Sequence, residues 1–389
     1  MSGWLLNPTT FDQNSDKHFL YYILFMQSDT RKNILICPLD WGLGHATRCV
    51  PLIRKFIASG TNVIIGADNR PLAFLKKEFP SLQFIRFQGY DIRYPGKGSM
   101  AVRMFFSFPH ILRRIRKEHK YLQKIISDFN IDIVVSDNRY GLWSNKTKCI
   151  FITHQLKIKC PGWLKLFEYI LFQVNKYFIN KYDECWIPDF KGEMTFSGDL
   201  SKNYKLFTNV HFIGLLSRFS NASLEDFKYE QKYDALFILS GPEPQRTIFE
   251  NIILDQVKDN TPFKILIVRG ITEATESKNI SENVSIINHL ETYELVKAIS
   301  ESAIIVCRPG YSSIMDIAIL GKRAVFVPTP GQTEQEYLAV YYKKKNLFFS
   351  VNQKKFNLQE AMDRSRFYSG LKIKIDYENL DKRINFLLS

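Results

Sequence analysis

Twice along its length the chain repeats one alternation: a short β-branched run, a turn, an amphipathic helical stretch, then another β-branched run. Strands separated by helices pair in parallel, with each helix packed back on the sheet. The first series reads NILIC (33–37), a helix 46–59 stopped by Gly60, NVIIGA (62–67), a helix 71–79 and LQFIRF (82–87). It continues through a basic helical stretch (100–129), IDIVVSD (131–137), CIFITHQ (149–155), an aromatic helix 163–182, ECWIPD (184–189) and NVHFIGLL (209–216). The polar segment 217–232 reads as a linker, and the pattern then restarts. YDALFILSG (233–241), a helix 247–257, FKILIVRG (263–270), NVSIINHL (283–290), a helix 291–300, AIIVCRPG (303–310), a helix 312–320 and RAVFVPTPG (323–331) follow. The expected fold class is α/β: two tandem doubly wound, Rossmann-like domains, 32–216 and 233–365, facing across a cleft. The tail, 366–389, closes as a helix packing back on the first domain. Such sheets bind ligands beyond the carboxyl ends of their strands, which puts the site between the domains.

Lys and Arg exceed Asp and Glu by 53 to 39, so anionic partners are expected: nucleotides, phospholipid or anionic glycan. No DNA- or RNA-binding module is recognisable, so nucleic acid is not an expected partner. The six cysteines (Cys37, Cys49, Cys149, Cys160, Cys185, Cys307) are scattered without a C-x-x-C pair and read as reduced thiols of a cytoplasmic protein. No run approaches the about 18 apolar residues that a membrane span needs. Residues 1–31 read as an extension outside the fold, with Met26 placed as an alternative start just before the first strand.

The most informative stretch runs from Val306 to Ala339. A strand ends at Cys307, Gly310 allows a tight turn, Ser312 or Ser313 caps a helix, and Gly321 stops it. Backbone N–H groups and the helix dipole then face whatever lies off the strand end, a natural seat for diphosphate. Asp316, three residues after Ser313, shares its helix face, where a carboxylate can accept from ribose hydroxyls.

These residues resemble the nucleotide-sugar-binding domain of glycosyltransferase family 28 and its GT-B relatives, which include the peptidoglycan N-acetylglucosaminyltransferases. The resemblance is carried by Arg308, Gly310, Ser313 and Asp316, with Tyr311 and Ser312 lying between, then Phe326-Val327-Pro328, then Gln335-Glu336. It implies that Gly310–Ser313 hold diphosphate, that Asp316 (where the family has Glu) holds ribose, and that Gln335 and Glu336 hold the donor sugar. It further implies that the NHL segment, with His289 and Leu290, reads uracil largely through backbone groups. The loop 240–246, SGPEPQR, carries one glycine and two prolines where the peptidoglycan enzymes are glycine-rich, leaving Gly241 and the charge of Arg246 as phosphate contacts. No cofactor or metal is expected, the nucleotide sugar being a substrate.

The first strand leads into GLGHATR, which lacks the third glycine of a dinucleotide loop (Thr47 stands there) and the Gly-Lys of a Walker loop. In GT-B enzymes this loop lies across the cleft from the donor. His45 then either abstracts the acceptor's proton, or binds acceptor or phosphate without proton transfer, or packs at the turn. Gly42 and Gly44 let the backbone pass close to sugar phosphate. A base gains from a carboxylate on its second nitrogen, and Asp137, at the end of IDIVVSD, is the candidate, with Asn138 and His154 on the same rim. The basic stretch 93–124, with MFFSF (104–108) inside it, and the aromatic helix 163–178 suit an anionic membrane surface or a lipid-linked acceptor; the alternative is a solvated basic face and a packed helix. The expected activity is inverting, metal-independent transfer from a UDP-sugar to a lipid-linked or glycan hydroxyl, in the cytoplasm or peripherally at the inner membrane face. A hydrolysing nucleotide-sugar epimerase or an inactive nucleotide-sugar-binding protein remains as the alternative.

Overall fold

A computed structural model describes residues 31–89, 100–160, 162–192, 195–220, 230–241, 243–257, 261–272 and 277–389. Its first sheet is wholly parallel, in the order β3 (Gln83–Arg86), β2 (Asn62–Ala67), β1 (Asn33–Pro38), β4 (Ile133–Asp137), β5 (Lys148–Ile152), β6 (Glu184–Ile187), β7 (Val210–Phe212). Because successive side chains of a strand leave opposite faces, β1 feeds two cores at once. Ile34 and Ile36 pack under α1 (Leu43–Ala58) and α2 (Asn69–Glu78), whereas Leu35 and Cys37 pack under α3 (Met100–Asp128) and α4 (Phe167–Ile179).

The second sheet runs β10 (Ser277–Asn279), β11 (Val284–Ile287), β9 (Ile265–Val268), β8 (Tyr233–Ile238), β12 (Ser302–Cys307), β13 (Ala324–Phe326), β14 (Phe349–Ser350). Only the β10–β11 pair is antiparallel. Helices α6 (Thr292–Ser300), α7 (Tyr311–Ile319) and α8 (Thr333–Lys344) cover one face; α5 (Gln245–Val257) and α9 (Leu358–Ser365) cover the other. The chain passes between the cores in two regions, within 196–219 and ahead of the last helix. Phe196, Leu200 and Leu215 lie within the second core, and α10 (Glu378–Leu388) returns to the first through Leu380, Ile384 and Leu387.

All six cysteines are unpaired, and all but the half-buried Cys160 are buried. Among the described residues no helix is long and apolar enough to cross a membrane. The extension 1–30, the segment 90–99, the linker residues 221–229 and the side chains of 104–108 lie outside what the structure describes.

Candidate active site

The site grows from two helix N-termini that face each other. Gly42, at φ +88°, turns the chain out of β1 in a conformation that a side chain would strain, and α1 begins at once, at Leu43. His45 is therefore in the first helical turn, not in a loop ahead of a helix starting at 46. On the opposite side Gly310 occupies the N-cap position of α7 with no side-chain cap, so Ser312 and Ser313 lie inside the first turn instead of capping it. Gly310 has an ordinary φ of −71°, and its N–H closes a tight turn by donating to Arg308 O at 2.8 Å, so the turn does not need a left-handed glycine. The first N–H groups of α7 have no acceptor within the helix. Ser312 Oγ donates to the carbonyl of Gly44 at 2.8 Å, and a Cβ on Gly44 would stand 3.3 Å from that oxygen. The glycine at 44 thus serves the approach of the two helices.

Asp137 ends β4 beside the end of β1, fully buried. Its Oδ1 lies 3.2 Å from His45 Nδ1. Burial alone would raise its pKa, but Arg48 on α1 overrides this and holds the carboxyl well below the usual range. Arg48 Nε donates to Oδ2 at 2.8 Å and Nη2 donates to Oδ1. The same guanidinium reaches His154, just past β5, through Nη1 at 3.0 Å from Nδ1. His154 Nε2 meets Glu334 Oε1 of α8 at 2.9 Å, and Gln155 Nε2 donates to the same carboxylate. Burial lowers the pKa of His154 despite that neighbour, favouring the neutral imidazole. Its ring stacks flat on Tyr311, centroids 4.0 Å apart, and the Tyr311 hydroxyl donates to Pro188 O at 2.8 Å. His45, Asp137 and His154 are thus brought together, opposite Tyr311 and Ser312.

Other candidates are held elsewhere. Arg308, one of the residues that carry the resemblance, is buried and donates to Val327 O, Gln245 O and Gln353 Oε1, tying three segments of the domain together. Arg246 pairs with Glu243 and Glu250, so its charge is already met within the domain. Gln335 Oε1 accepts from Thr329 N and Glu336 Oε1 from Gly331 N, each at 2.8 Å, and both contacts brace the loop before α8. Asp316 accepts from Ser217 Oγ of the chain crossing. Gly241 has φ +104°. Asn138 sits at φ +59° with its Oδ1 buried and unpartnered. His289 and Leu290 follow β11, the former edge-on to Phe74 of α2 at 6.5 Å.

Arg48 and Glu334 carry much of this arrangement and were missed in the sequence reading. Arg48 had a signal, one helical turn from His45 on the same face. Glu334 had none, its partner lying 180 residues away.

Residues 235–369 match the family model described as the glycosyltransferase family 28 C-terminal domain. An uncharacterized glycosyltransferase of Methanosarcina mazei is 23% identical over 323 residues, 78% of this chain and 80% of that protein. A UDP-N-acetylglucosamine--N-acetylmuramyl-(pentapeptide) pyrophosphoryl-undecaprenol N-acetylglucosamine transferase of Flavobacterium psychrophilum is 33% identical over 176 residues, 43% of this chain and 46% of that one. In fold the chain is similar to the crystal structure of MurG from Acinetobacter baumannii, with a TM-score of 0.52 and 12% identity over 92% of this chain and 99% of that one.

Proposed function

This chain is a family 28-like glycosyltransferase of GT-B fold, and from that premise we propose that it moves a sugar from a UDP-sugar to an acceptor hydroxyl, with inversion and without a metal. The observation that carries this reading is the pairing of His45 with Asp137 opposite the N-terminus of α7. The imidazole accepts the proton of the attacking hydroxyl at Nε2, while Asp137 orients Nδ1 and stabilises the imidazolium. The first-turn N–H groups of α7 and its dipole take the diphosphate charge that grows as the anomeric bond breaks. Glu334, whose two oxygens are met by His154 and Gln155, joins the donor domain to the base side of the cleft, and Gln335 and Glu336 are the residues proposed to meet the donor sugar's hydroxyls. The Flavobacterium relative's name, with its UDP-sugar and pyrophosphoryl-undecaprenol substrate, supports UDP and a lipid-linked acceptor here.

Titration calorimetry with UDP, GDP, dTDP, CDP and NAD, with and without EDTA, tests the donor; selective binding of UDP in EDTA is expected. His45→Ala should abolish transfer and leave UDP affinity within about threefold of the parent value. Undiminished turnover would remove His45 from the base role, and release of free sugar without acceptor would favour the hydrolysing epimerase.

A lipid-linked acceptor requires a membrane-facing surface. The face of α3 carrying Arg113, Arg116, Lys117, Lys120 and Lys124 is exposed, and on the same side of the sheet α4 exposes Phe167, Tyr169, Ile170 and Tyr177, with Leu166 exposed at its N-cap. Lys181 lies over both Tyr177 and Trp143, and Trp143 stacks on His119 of α3, so the basic and apolar patches adjoin. We assign this surface to anionic lipid at the inner membrane face. Sedimentation should find the protein on phosphatidylglycerol vesicles and not on phosphatidylcholine, with release by high salt. Equal binding to both would sink the assignment.

A further inference from the structure

Arg48 is only 2% exposed, and its contacts exceed what neutralising Asp137 would need. Nε and Nη2 already grip both oxygens of that carboxylate. Nη1 turns away to His154 Nδ1, and Nη2 also lies 3.0 Å from His45 Nδ1. A guanidinium has donors and no acceptor, so every partner must present a lone pair. His154 Nδ1 is therefore unprotonated, its proton sits on Nε2, and that proton points at Glu334 Oε1 across the domain seam. At His45 the same rule sets a choice. If Nδ1 accepts from Arg48, the proton lies on Nε2. If Nδ1 donates to Asp137 Oδ1, Nε2 bears the lone pair that a base requires. One rigid fork thus stands at the tautomeric switch of His45 and fixes that of His154. A lysine, a point donor, could not do both.

We propose that Arg48 is a positioning residue of the transfer reaction: by gripping both oxygens of Asp137 its buried guanidinium aims that carboxylate at His45 Nδ1, and by donating to His154 Nδ1 it fixes the His154 tautomer and so the contact to Glu334 of the second domain. The proposal rests on the reading of His45 as base, but its tautomer consequence does not need that reading. The seven histidines, labelled with ¹⁵N and assigned with His45→Ala and His154→Ala spectra, report tautomers directly. His154 in the parent protein should show a protonated Nε2 and a bare Nδ1. In Arg48→Gln that pattern should be lost, with kcat falling at least about 100-fold and UDP affinity within about threefold. Arg48→Lys keeps a positive charge beside Asp137 and covers the case in which the glutamine variant does not fold; it too should lose the His154 pattern. An unchanged His154 pattern in either folded variant overturns the proposal, as does a kcat within a few-fold of the parent. If His45→Ala retains full transfer while the tautomers respond to Arg48, the base reading and the catalytic part of the proposal fail, and the tautomer control stands alone.

Discussion

The carboxyl of Asp316 is half-buried on α7, accepting from Ser217 Oγ and facing Arg218, whose guanidinium lies over the rings of Phe74 and Phe219. Burial outweighs both favourable neighbours and pushes its pKa up, from 3.8 to about 6. The folded chain therefore holds this proton more tightly than the unfolded one. The stability gained is complete below pH 3.8 and is lost as pH rises through about 6. Asp316→Asn has no such titration, so raising the pH from 4 to 7.5 should shift the stability difference in the variant's favour by on the order of 2 kcal/mol, read by urea unfolding at the two pH values. A pH-independent difference would show that the carboxyl is not held in this way. The same substitution should weaken UDP binding if the carboxylate accepts from ribose. The family likeness pointed to Asp316; its tie to Ser217 was not legible, because residues 99 apart meet only when the chain crosses between domains.

At the scale of elements, the two glycines of GLGHATR separate cleanly. Gly42 holds φ +88°, and Gly42→Ala should destabilise the protein by about 1–2 kcal/mol. Gly44 lies within the first turn of α1, where alanine is the better helix former, yet its Cβ would press on Ser312 of α7. Gly44→Ala should leave stability within about 1 kcal/mol of the parent while lowering turnover by about tenfold or more, because it moves the two helix ends apart. Denaturant unfolding beside initial rates checks the pair; equal losses of stability would refute the distinction. The inner strands of both sheets were legible, since their doubly buried runs are apolar throughout. The two-residue β14 and helix α9 were not placed, and three further elements were less clear. Helix α1 reads three residues late because a Gly-Leu-Gly stretch looks like loop. β10, Ser277–Asn279, is a polar edge strand with no pattern of its own. Helix α8 carries Tyr337, Tyr341 and Tyr342, whose hydroxyls bond Asp199 N, Thr195 O and Phe196 O of the loop after β6; they serve a partner surface rather than a clean amphipathic period.

For the whole molecule, α10 makes the last residues part of the first core. Leu380 is fully buried and Ile384 nearly so, against a sheet that begins some three hundred and fifty positions earlier. Ile384→Ala should destabilise by about 2–5 kcal/mol, and in a protease-resistance assay the first domain should be the half exposed. Protection lost from the second domain alone would contradict the packing seen here. The sequence by itself determined the two parallel α/β units and the glycosyltransferase likeness of the second, because strand burial, helix period and helix-end glycines are local properties written over a few residues. It also placed His45, Asp137 and His154 at strand and helix ends, since topology alone puts those ends on one rim. Which charged groups face the seam was decided only by the tertiary structure. Arg308 and Arg246 turned inward to satisfy buried oxygens, and Gln335 and Glu336 brace a loop. Arg48 and Glu334 took the positions between the domains. Desolvated charge must find a partner wherever the fold supplies one, and those partners come from segments far apart in the chain.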